Sequence, residues 1–258
     1  MPRFAANLTM MFTEHDPLDR FQAAADAGFA AVEMLFPYAH DMDVIAKRKQ
    51  AAGLEQVLFN LPPGDWDAGE RGMACLSGRE AEFEAGVAKA LAYAEALECP
   101  MLHMMAGLAP AGAEAAQLQA TYRRNLAFAA DAVGSAGRSL CIEPINARDM
   151  PGFYLRTTDQ SIAHLDAVGK ANAWLQFDVY HCQISEGDLT RRMERLMDRI
   201  GHVQIAGVPD RHEPDEGEVA YGHVFAAFDR LGYQGWIGCE YRPKGKTTDG
   251  LGWLRPYS

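Results

Sequence analysis

The sequence lacks the features that mark disulfide-bonded, zinc-binding and membrane-spanning proteins. Five cysteines are scattered through 258 residues, and no two of them form a C-x-x-C pair. This odd number and wide spacing predict buried free thiols in a reducing compartment rather than disulfides or a zinc cluster. No run of about 18 uninterrupted apolar residues occurs, and the N-terminal MPRFAANLTMMF lacks the long apolar stretch of a secretion signal. We therefore expect a cytoplasmic protein.

Positive charge is also scarce. The chain carries 24 Lys and Arg against 35 Asp and Glu, which gives a net charge of -11. Nucleic acids and anionic membrane surfaces are bound through clustered cations, so we expect neither kind of partner. The sequence leaves the oligomeric state open, a homo-oligomer included.

Apolar runs of strand length alternate with amphipathic helical segments along the whole chain. The predicted strands are 3–9, 31–37, 54–60, 101–107, 139–146, 173–180, 202–208 and 235–241. Eight β-α units in about 250 residues predict a closed (β/α)₈ TIM barrel. A doubly wound sheet is the alternative, but no G-x-G-x-x-G follows the first strand. No linker or low-complexity tract interrupts the pattern, so we expect one domain, residues 1–258. The longest irregular stretch, 61–77, would lie over the C-terminal mouth of the barrel, where active sites of this fold are found.

The last four predicted strands share a polar residue at or near the end of an apolar run. In LCIEPIN the carboxylate of Glu143 interrupts what otherwise reads as a buried strand. Asp178 ends the sixth strand, Gln204 lies in the seventh, and Glu240 ends the eighth. In a barrel these side chains converge at one edge of the mouth.

Three carboxylates so close together cannot all stay ionised without a cation. The four side chains offer only oxygen, which favours Mg²⁺ or Mn²⁺ over Zn²⁺ or Cu²⁺. We therefore predict that Glu143, Asp178, Gln204 and Glu240 bind a divalent metal ion. The alternative for each carboxylate is an ion pair with a nearby Arg or a helix cap.

Six further residues are candidates for contacts with a substrate. His181 and His103 could orient it, but either could instead be a structural hydrogen-bonding histidine. Arg211, after the seventh strand, is the first candidate to hold a substrate carboxylate, with a loop salt bridge as its alternative. Arg71, in the long loop, is the second candidate for the same role. Asn7 and Asn60 end the first and third strands, where an amide could reach a hydroxyl group or simply cap a turn.

The chain resembles the hydroxypyruvate isomerase family, one of the xylose-isomerase-like barrels. The resemblance covers essentially the whole chain and is carried by RFAANLTMMF, NLPPGDWDAGERGMACLSGRE, IEPIN…PGFYL, QFDVYH, HVQIAGVPDRHEPDEGE and GWIGCEY. It implies a (β/α)₈ barrel, and it implies that Glu143 and Glu240 are the acid/base pair. The metal positions of the family match Glu143, Asp178, Gln204 and Glu240.

Individual motifs divide between two activities of this family. NLPPGDWDAGERG and IEPINARDMPGFYL are similar to hydroxypyruvate isomerases, whereas AGVPDRHEPDEGE and GYQGWIGCEYRPKG are similar to 2-oxo-tetronate isomerases. We expect hydroxypyruvate isomerase, which interconverts hydroxypyruvate and tartronate semialdehyde through an enediolate, with 2-oxo-tetronate isomerase as the alternative. The substrate would be a small 2-oxo hydroxy acid.

Three other functions compete with this interpretation. A ketose 3-epimerase would use the same metal and paired glutamates on a larger sugar. A DNA-repair endonuclease on this barrel would need a His-rich zinc cluster and a basic face, which the sequence lacks. A non-catalytic binding protein for sugar acids would have no need for three carboxylates suited to a metal.

Overall fold

Eight parallel strands close into a barrel in the order of the sequence, from β1 round to β8 and back to β1. The computed structural model describes residues 1–257. The strands are β1 (Arg3–Asn7), β2 (Ala31–Met34), β3 (Glu55–Asn60), β4 (Met101–His103), β5 (Ser139–Ile142), β6 (Ala173–Asp178), β7 (Ile200–Ile205) and β8 (Trp236–Cys239). The predicted TIM barrel is confirmed, and the doubly wound alternative is excluded.

Helices connect successive strands and pack around the barrel. They are α1 (Arg20–Asp26), α2 (Met42–Ala51), α3 (Glu80–Ala96), α4 (Ala115–Ser135), α5 (Thr158–Val168), α6 (Val179–Ser185), α7 (Leu189–Leu196) and α8 (Tyr221–Arg230). Short 3₁₀ segments at Met197–Arg199 and Thr247–Tyr257 complete the chain. The C-terminal unit therefore ends in a 3₁₀ segment and has no α-helix after β8 within residues 1–257.

The long helix α4 shows why these segments form helices. Its buried residues include Tyr122, Leu126, Ala129 and Val133, which recur at three- and four-residue spacing. That spacing gives one apolar face, which α4 buries in the main hydrophobic core together with the outward-facing strand residues. None of the helices in residues 1–257 combines the length and apolar composition needed to cross a membrane.

All eight predicted strands are present. Seven of them end earlier than predicted, β3 ends at Asn60 as predicted, and β7 begins two residues earlier. The strand β5 ends at Ile142 because Pro144 has no N–H with which to continue the ladder. The residues past the strand ends leave the sheet to build the mouth of the barrel.

The loop 61–77 lies at this mouth, as predicted, and its backbone is tied to the loop after β4. The Leu61 amide donates to the His103 carbonyl at 2.8 Å, and the Cys75 amide donates to the Ala106 carbonyl at 2.8 Å. Gly72 has φ 104°, and a Cβ there would lie 2.5 Å from the Met105 carbonyl oxygen. Only glycine fits this close approach between the two loops without a shift.

All five cysteines are buried and free. This arrangement agrees with the prediction of structural thiols rather than disulfides.

Candidate active site

A cavity of about 450 Å³ opens at the C-terminal mouth of the barrel. Seven of the predicted site residues line it, namely Asn60, Arg71, His103, Glu143, His181, Arg211 and Glu240. Asp178 lies at its edge, with Oδ2 at 3.6 Å from both Arg211 Nη2 and His181 Nε2. The strand-end pattern therefore does bring its carboxylates to one place.

The register of the strands determines the height of these side chains along the barrel axis. Asp178 on β6 pairs with Gln204 on β7, and Gln204 pairs with Gly238 on β8. Glu143 follows β5 directly, and Glu240 follows β8 directly. Asp178 also begins α6, where its Oδ1 accepts a hydrogen bond from the Tyr180 amide at 2.8 Å. The other carboxylate oxygen of Asp178 remains directed toward the site.

Burial and mutual repulsion raise the pKa of each carboxyl group in the site. Burial is the larger cause for Glu143, whose pKa lies well above its usual value, and the charges of Glu240 and Asp178 raise it further. Burial raises the pKa of Glu240 to about 8 and that of Asp178 to about 6, while Arg211 opposes both shifts. These are the conditions under which a bound cation would be most strongly favoured.

Three buried polar atoms at this site have no hydrogen-bond partner within residues 1–257. They are Glu143 Oε1, Asp178 Oδ2 and His103 Nε2. A buried polar atom without a partner costs roughly 1–3 kcal/mol, so such atoms in a group indicate a ligand site. One ligand atom each of Glu143, Asp178 and His181 lie within 4.8 Å of one another, a grouping that could hold a metal ion.

Arg211 lies against the carboxylates. Its Nη2 is 2.7 Å from Glu240 Oε2, and its guanidinium carbon lies 4.9 Å from the centre of the Tyr180 ring. Burial acts to lower the Arg211 pKa, but the carboxylates of Glu240, Asp178 and Glu143 outweigh it and raise the pKa above its usual value. Arg211 therefore supplies a fixed positive charge to the acidic site.

The second predicted arginine is held differently. Arg71 stacks on Trp66, with its guanidinium carbon 3.8 Å from the ring centre. Its Nη1 donates to the carbonyls of Trp66 at 3.0 Å and Glu70 at 2.7 Å. These bonds fix Arg71 in the wall of the cavity, with no carboxylate partner within residues 1–257.

The two histidines lie near different oxygens of Glu143. His103 Nε2 lies 3.7 Å from Glu143 Oε2, and its Nδ1 lies 3.1 Å from Asn60 Oδ1. Burial lowers the pKa of His103 to about 3, so its imidazole is neutral at physiological pH. Burial, with Arg211 nearby, also lowers the pKa of His181 well below its usual value.

Two of the predicted residues face the interior of the barrel rather than the cavity. Asn7 caps the turn after β1, where its Oδ1 accepts from the Thr9 amide at 3.1 Å, and its Nδ2 donates to Glu33 at 3.0 Å. Asn7 therefore caps a turn, which was the alternative to substrate contact, and it is not among the residues that line the cavity. Gln204 Nε2 donates to Glu33 Oε1 at 2.8 Å, and its Oε1 accepts from Gln176 at 2.6 Å.

The prediction from sequence missed Glu33, which is fully buried on β2. Its carboxylate accepts hydrogen bonds from Asn7, Gln204 and His202, the last at 2.7 Å. The signal was present, because AVEML is another apolar strand interrupted by one carboxylate. Asn146, which contacts His181, was missed as well, although it lies three residues after Glu143.

Comparisons with known proteins agree with this architecture. The sequence model of the family described as xylose isomerase-like TIM barrel matches residues 21–257. A protein of Cupriavidus necator named 2-oxo-tetronate isomerase is 56% identical over 257 residues, covering 100% of this chain and 99% of its own. A protein of Escherichia coli named hydroxypyruvate isomerase is 46% identical, covering 100% of both chains.

Among solved structures, the chain is similar to one from Brucella melitensis described as an AP endonuclease, family 2. The two are 50% identical with a TM-score of 0.98, over 100% of this chain and 99% of that one. Full-length identity at this level shows common ancestry as well as a common fold. The chain belongs to the xylose isomerase-like TIM barrel family, alongside isomerases named for hydroxypyruvate and for 2-oxo-tetronate.

Proposed function

We propose that the protein is an isomerase of a short 2-oxo acid that carries a hydroxyl group next to its carbonyl. One observation carries the proposal: Glu143 and Glu240 approach a single cavity from β5 and β8, both buried and both with raised pKa values. Two such carboxyl groups suit an acid/base pair that moves a proton between neighbouring carbons. The names of the relatives support an isomerase reaction.

We propose a divalent ion, Mg²⁺ or Mn²⁺, as the cofactor. The partnerless oxygens of Glu143 and Asp178 fit such an ion, and the available donors are mainly oxygen. Glu143, Asp178 and Glu240 would hold it, and Gln204 would join them only if its amide left the hydrogen bonds to Glu33 and Gln176. When bound, the ion would act as a Lewis acid that stabilises negative charge on the substrate oxygens.

In the proposed reaction the two glutamates divide the proton transfers. Arg211 lies 2.7 Å from Glu240 and lowers the Glu240 pKa relative to that of Glu143. Glu240 is therefore the more readily ionised, and we assign it as the base that removes the proton from the carbon bearing the hydroxyl group. Glu143 returns a proton to the neighbouring carbon, the proton of the original hydroxyl group passes to the former carbonyl oxygen, and the carbonyl group has then moved by one position.

The carboxylate of the substrate needs a cation that the site does not already use. Arg211 is paired with Glu240, whereas Arg71 reaches the cavity wall with its Nη1 bonded only to carbonyl oxygens. We propose that Arg71 binds the substrate carboxylate and that Arg211 chiefly controls Glu240. This changes the order of the two arginines predicted from sequence.

Two substrates fit the proposal, and a direct comparison decides between them. Hydroxypyruvate is the primary candidate, and the 56% identity to a protein named 2-oxo-tetronate isomerase favours 2-oxo-tetronate as the second. Metal-free protein, reloaded with Mn²⁺ or Mg²⁺, should turn over at least one of the two acids, and removal of the ion should abolish turnover. Failure to turn over either acid at full metal occupancy would overturn the proposal.

We propose neither a nucleic acid nor a membrane as partner, because the net charge is -11. A cytoplasmic location is proposed from the five free cysteines. Incubation with a duplex containing an abasic site should leave the DNA intact, and cleavage that disappears in Asp178→Asn would contradict this part of the proposal.

A further inference from the structure

The Nδ1 atom of His181 faces two hydrogen-bond donors. The side-chain amide nitrogen of Asn146 lies 2.6 Å away, and the Asn146 backbone amide lies 3.5 Å away. Asn146 is fully buried and His181 is nearly so. The contact therefore lies within the protein interior, directly behind the acidic site.

The orientation of the Asn146 amide is fixed by its other hydrogen bond. Its Oδ1 accepts from the backbone amide of Asp149 at 2.8 Å. A backbone N–H can only donate, so the oxygen of Asn146 must face Asp149, and its NH₂ group must face His181. The backbone amide of Asn146 is likewise only a donor. Both groups near Nδ1 therefore require an unprotonated nitrogen there.

A neutral imidazole carries one proton, which must then be on Nε2. Nε2 lies 3.6 Å from Asp178 Oδ2 and 3.9 Å from Glu143 Oε1, both of which are directed into the site. A protonated Nε2 has no lone pair for a metal ion, even though it lies among the candidate ligand atoms.

We propose that Asn146 is a positioning residue that locks His181 as an Nε2–H donor and so keeps its imidazole out of the metal-binding set. Imidazole is a good ligand for Zn²⁺, whereas oxygen ligands suit Mg²⁺ and Mn²⁺. The lock thereby determines which class of ion the site prefers. It also leaves His181 free to donate a hydrogen bond to a substrate oxygen. The inference rests on the divalent ion of the proposed function.

The test is Asn146→Asp, which keeps the shape and the bond from Asp149 but replaces the donor near His181 with an acceptor. In metal-free protein with ¹⁵N-labelled histidine, NMR should show wild-type His181 protonated on Nε2 and unprotonated on Nδ1. The variant should be protonated on Nδ1. The His181 signals are assigned by their loss in His181→Phe. A wild-type His181 with its proton on Nδ1 would overturn the proposal.

Calorimetric titration of the same metal-free proteins with Mn²⁺ and with Zn²⁺ gives the second measurement. We expect Asn146→Asp to increase the affinity for Zn²⁺ relative to Mn²⁺ by about 10–100-fold, the usual scale for residues that orient ligands. Asn146→Ala, which leaves the backbone donor in place, should change the ratio less. Ala147→Asp is the matched control, since it adds the same charge at an exposed neighbouring position and should leave the ratio unchanged.

An unchanged ratio in Asn146→Asp, or an equal change in Ala147→Asp, would show that Asn146 does not control metal choice. These readouts do not involve turnover. Absence of both isomerase activities would therefore count against the proposed function and leave this inference standing. Absence of binding of either ion would remove the proposed cofactor and overturn the role in metal choice.

Discussion

Glu143 and Glu240 differ in what surrounds their carboxyl groups. Glu240 is paired with Arg211 at 2.7 Å, whereas the Oε1 of Glu143 has no hydrogen-bond partner within residues 1–257. The two groups are equally buried, so the pairing, rather than exposure, distinguishes them. That difference is the physical basis for assigning them separate proton-transfer roles.

Changing either glutamate to Gln tests these roles. The amide keeps the size and one oxygen but cannot carry the proton, so kcat should fall by about 10²–10⁴-fold with a smaller effect on KM. Glu143→Gln, which retains the base, should still exchange the substrate hydrogen with D₂O, and Glu240→Gln should not. NMR of metal-saturated variants measures this exchange. Near-normal kcat in either variant would show that its glutamate is not an acid or base.

The two arginines should give opposite kinetic signatures. Arg71→Ala should raise KM with little change in kcat, because the proposed role of Arg71 is to bind the substrate carboxylate and not to assist proton transfer. Arg211→Ala should lower kcat and move the pH profile to higher pH, because Glu240 loses the charge that favours its ionised form. Steady-state kinetics between pH 6 and about 9 separates the two effects. If Arg211→Ala changes KM alone, the assignment of the arginines is reversed.

At the scale of elements, the loop 61–77 brings Trp66 and Arg71 to the cavity although it contains no helix or strand. Its hold on the loop after β4 depends on Gly72, where a Cβ would lie 2.5 Å from the Met105 carbonyl oxygen. The position of Arg71, the residue proposed to bind the substrate carboxylate, therefore depends on a contact between two loops.

Gly72→Ala should displace this loop and raise KM, at a cost in stability of about 1–3 kcal/mol. Gly69→Ala is the matched control, because Gly69 has φ 96° but a Cβ there would meet nothing within 4 Å. Both variants carry backbone strain, and only the first adds a collision. Thermal unfolding and KM should be measured for both, and equal KM values would show that the close approach does not position Arg71.

At the scale of the whole molecule, the metal-free site should make the fold sensitive to pH. The pKa values of Glu240, about 8, and Asp178, about 6, exceed the usual values of 4.5 and 3.8. At a pH between the usual and the raised pKa of each group, the folded protein retains a proton that the unfolded chain has released. Raising the pH through this range therefore favours unfolding.

We therefore expect the Tm of metal-free protein to fall as the pH rises from about 5 to about 8. Saturation with Mn²⁺ should flatten this dependence, because a cation favours the ionised carboxylates. Glu240→Gln should flatten it without metal. Scanning calorimetry across this range provides the measurement, and a Tm that rises with pH in metal-free protein would contradict the electrostatic description of the site.

The alternation of strand-length apolar runs with amphipathic helical segments predicted the barrel, because both are local patterns of the sequence. It also predicted where the carboxylates meet, since every strand end of a parallel barrel lies on one face. It could not predict that Arg211 pairs with Glu240 or that Gln204 turns toward Glu33, because those contacts depend on how loops and interior side chains meet across the barrel. The substrate roles assigned to Asn60, His103 and His181 stay predictions.

Gly238 determines whether Glu33 can occupy its place in the barrel. A Cβ at this position would lie 2.2 Å from Glu33 Oε2, so any larger residue would expel the carboxylate that Asn7, His202 and Gln204 all contact. A substitution at position 238 therefore requires a compensating substitution at position 33, although the two positions are 205 residues apart along the chain. A combinatorial library that diversifies the pocket should hold this pair constant or change both members together.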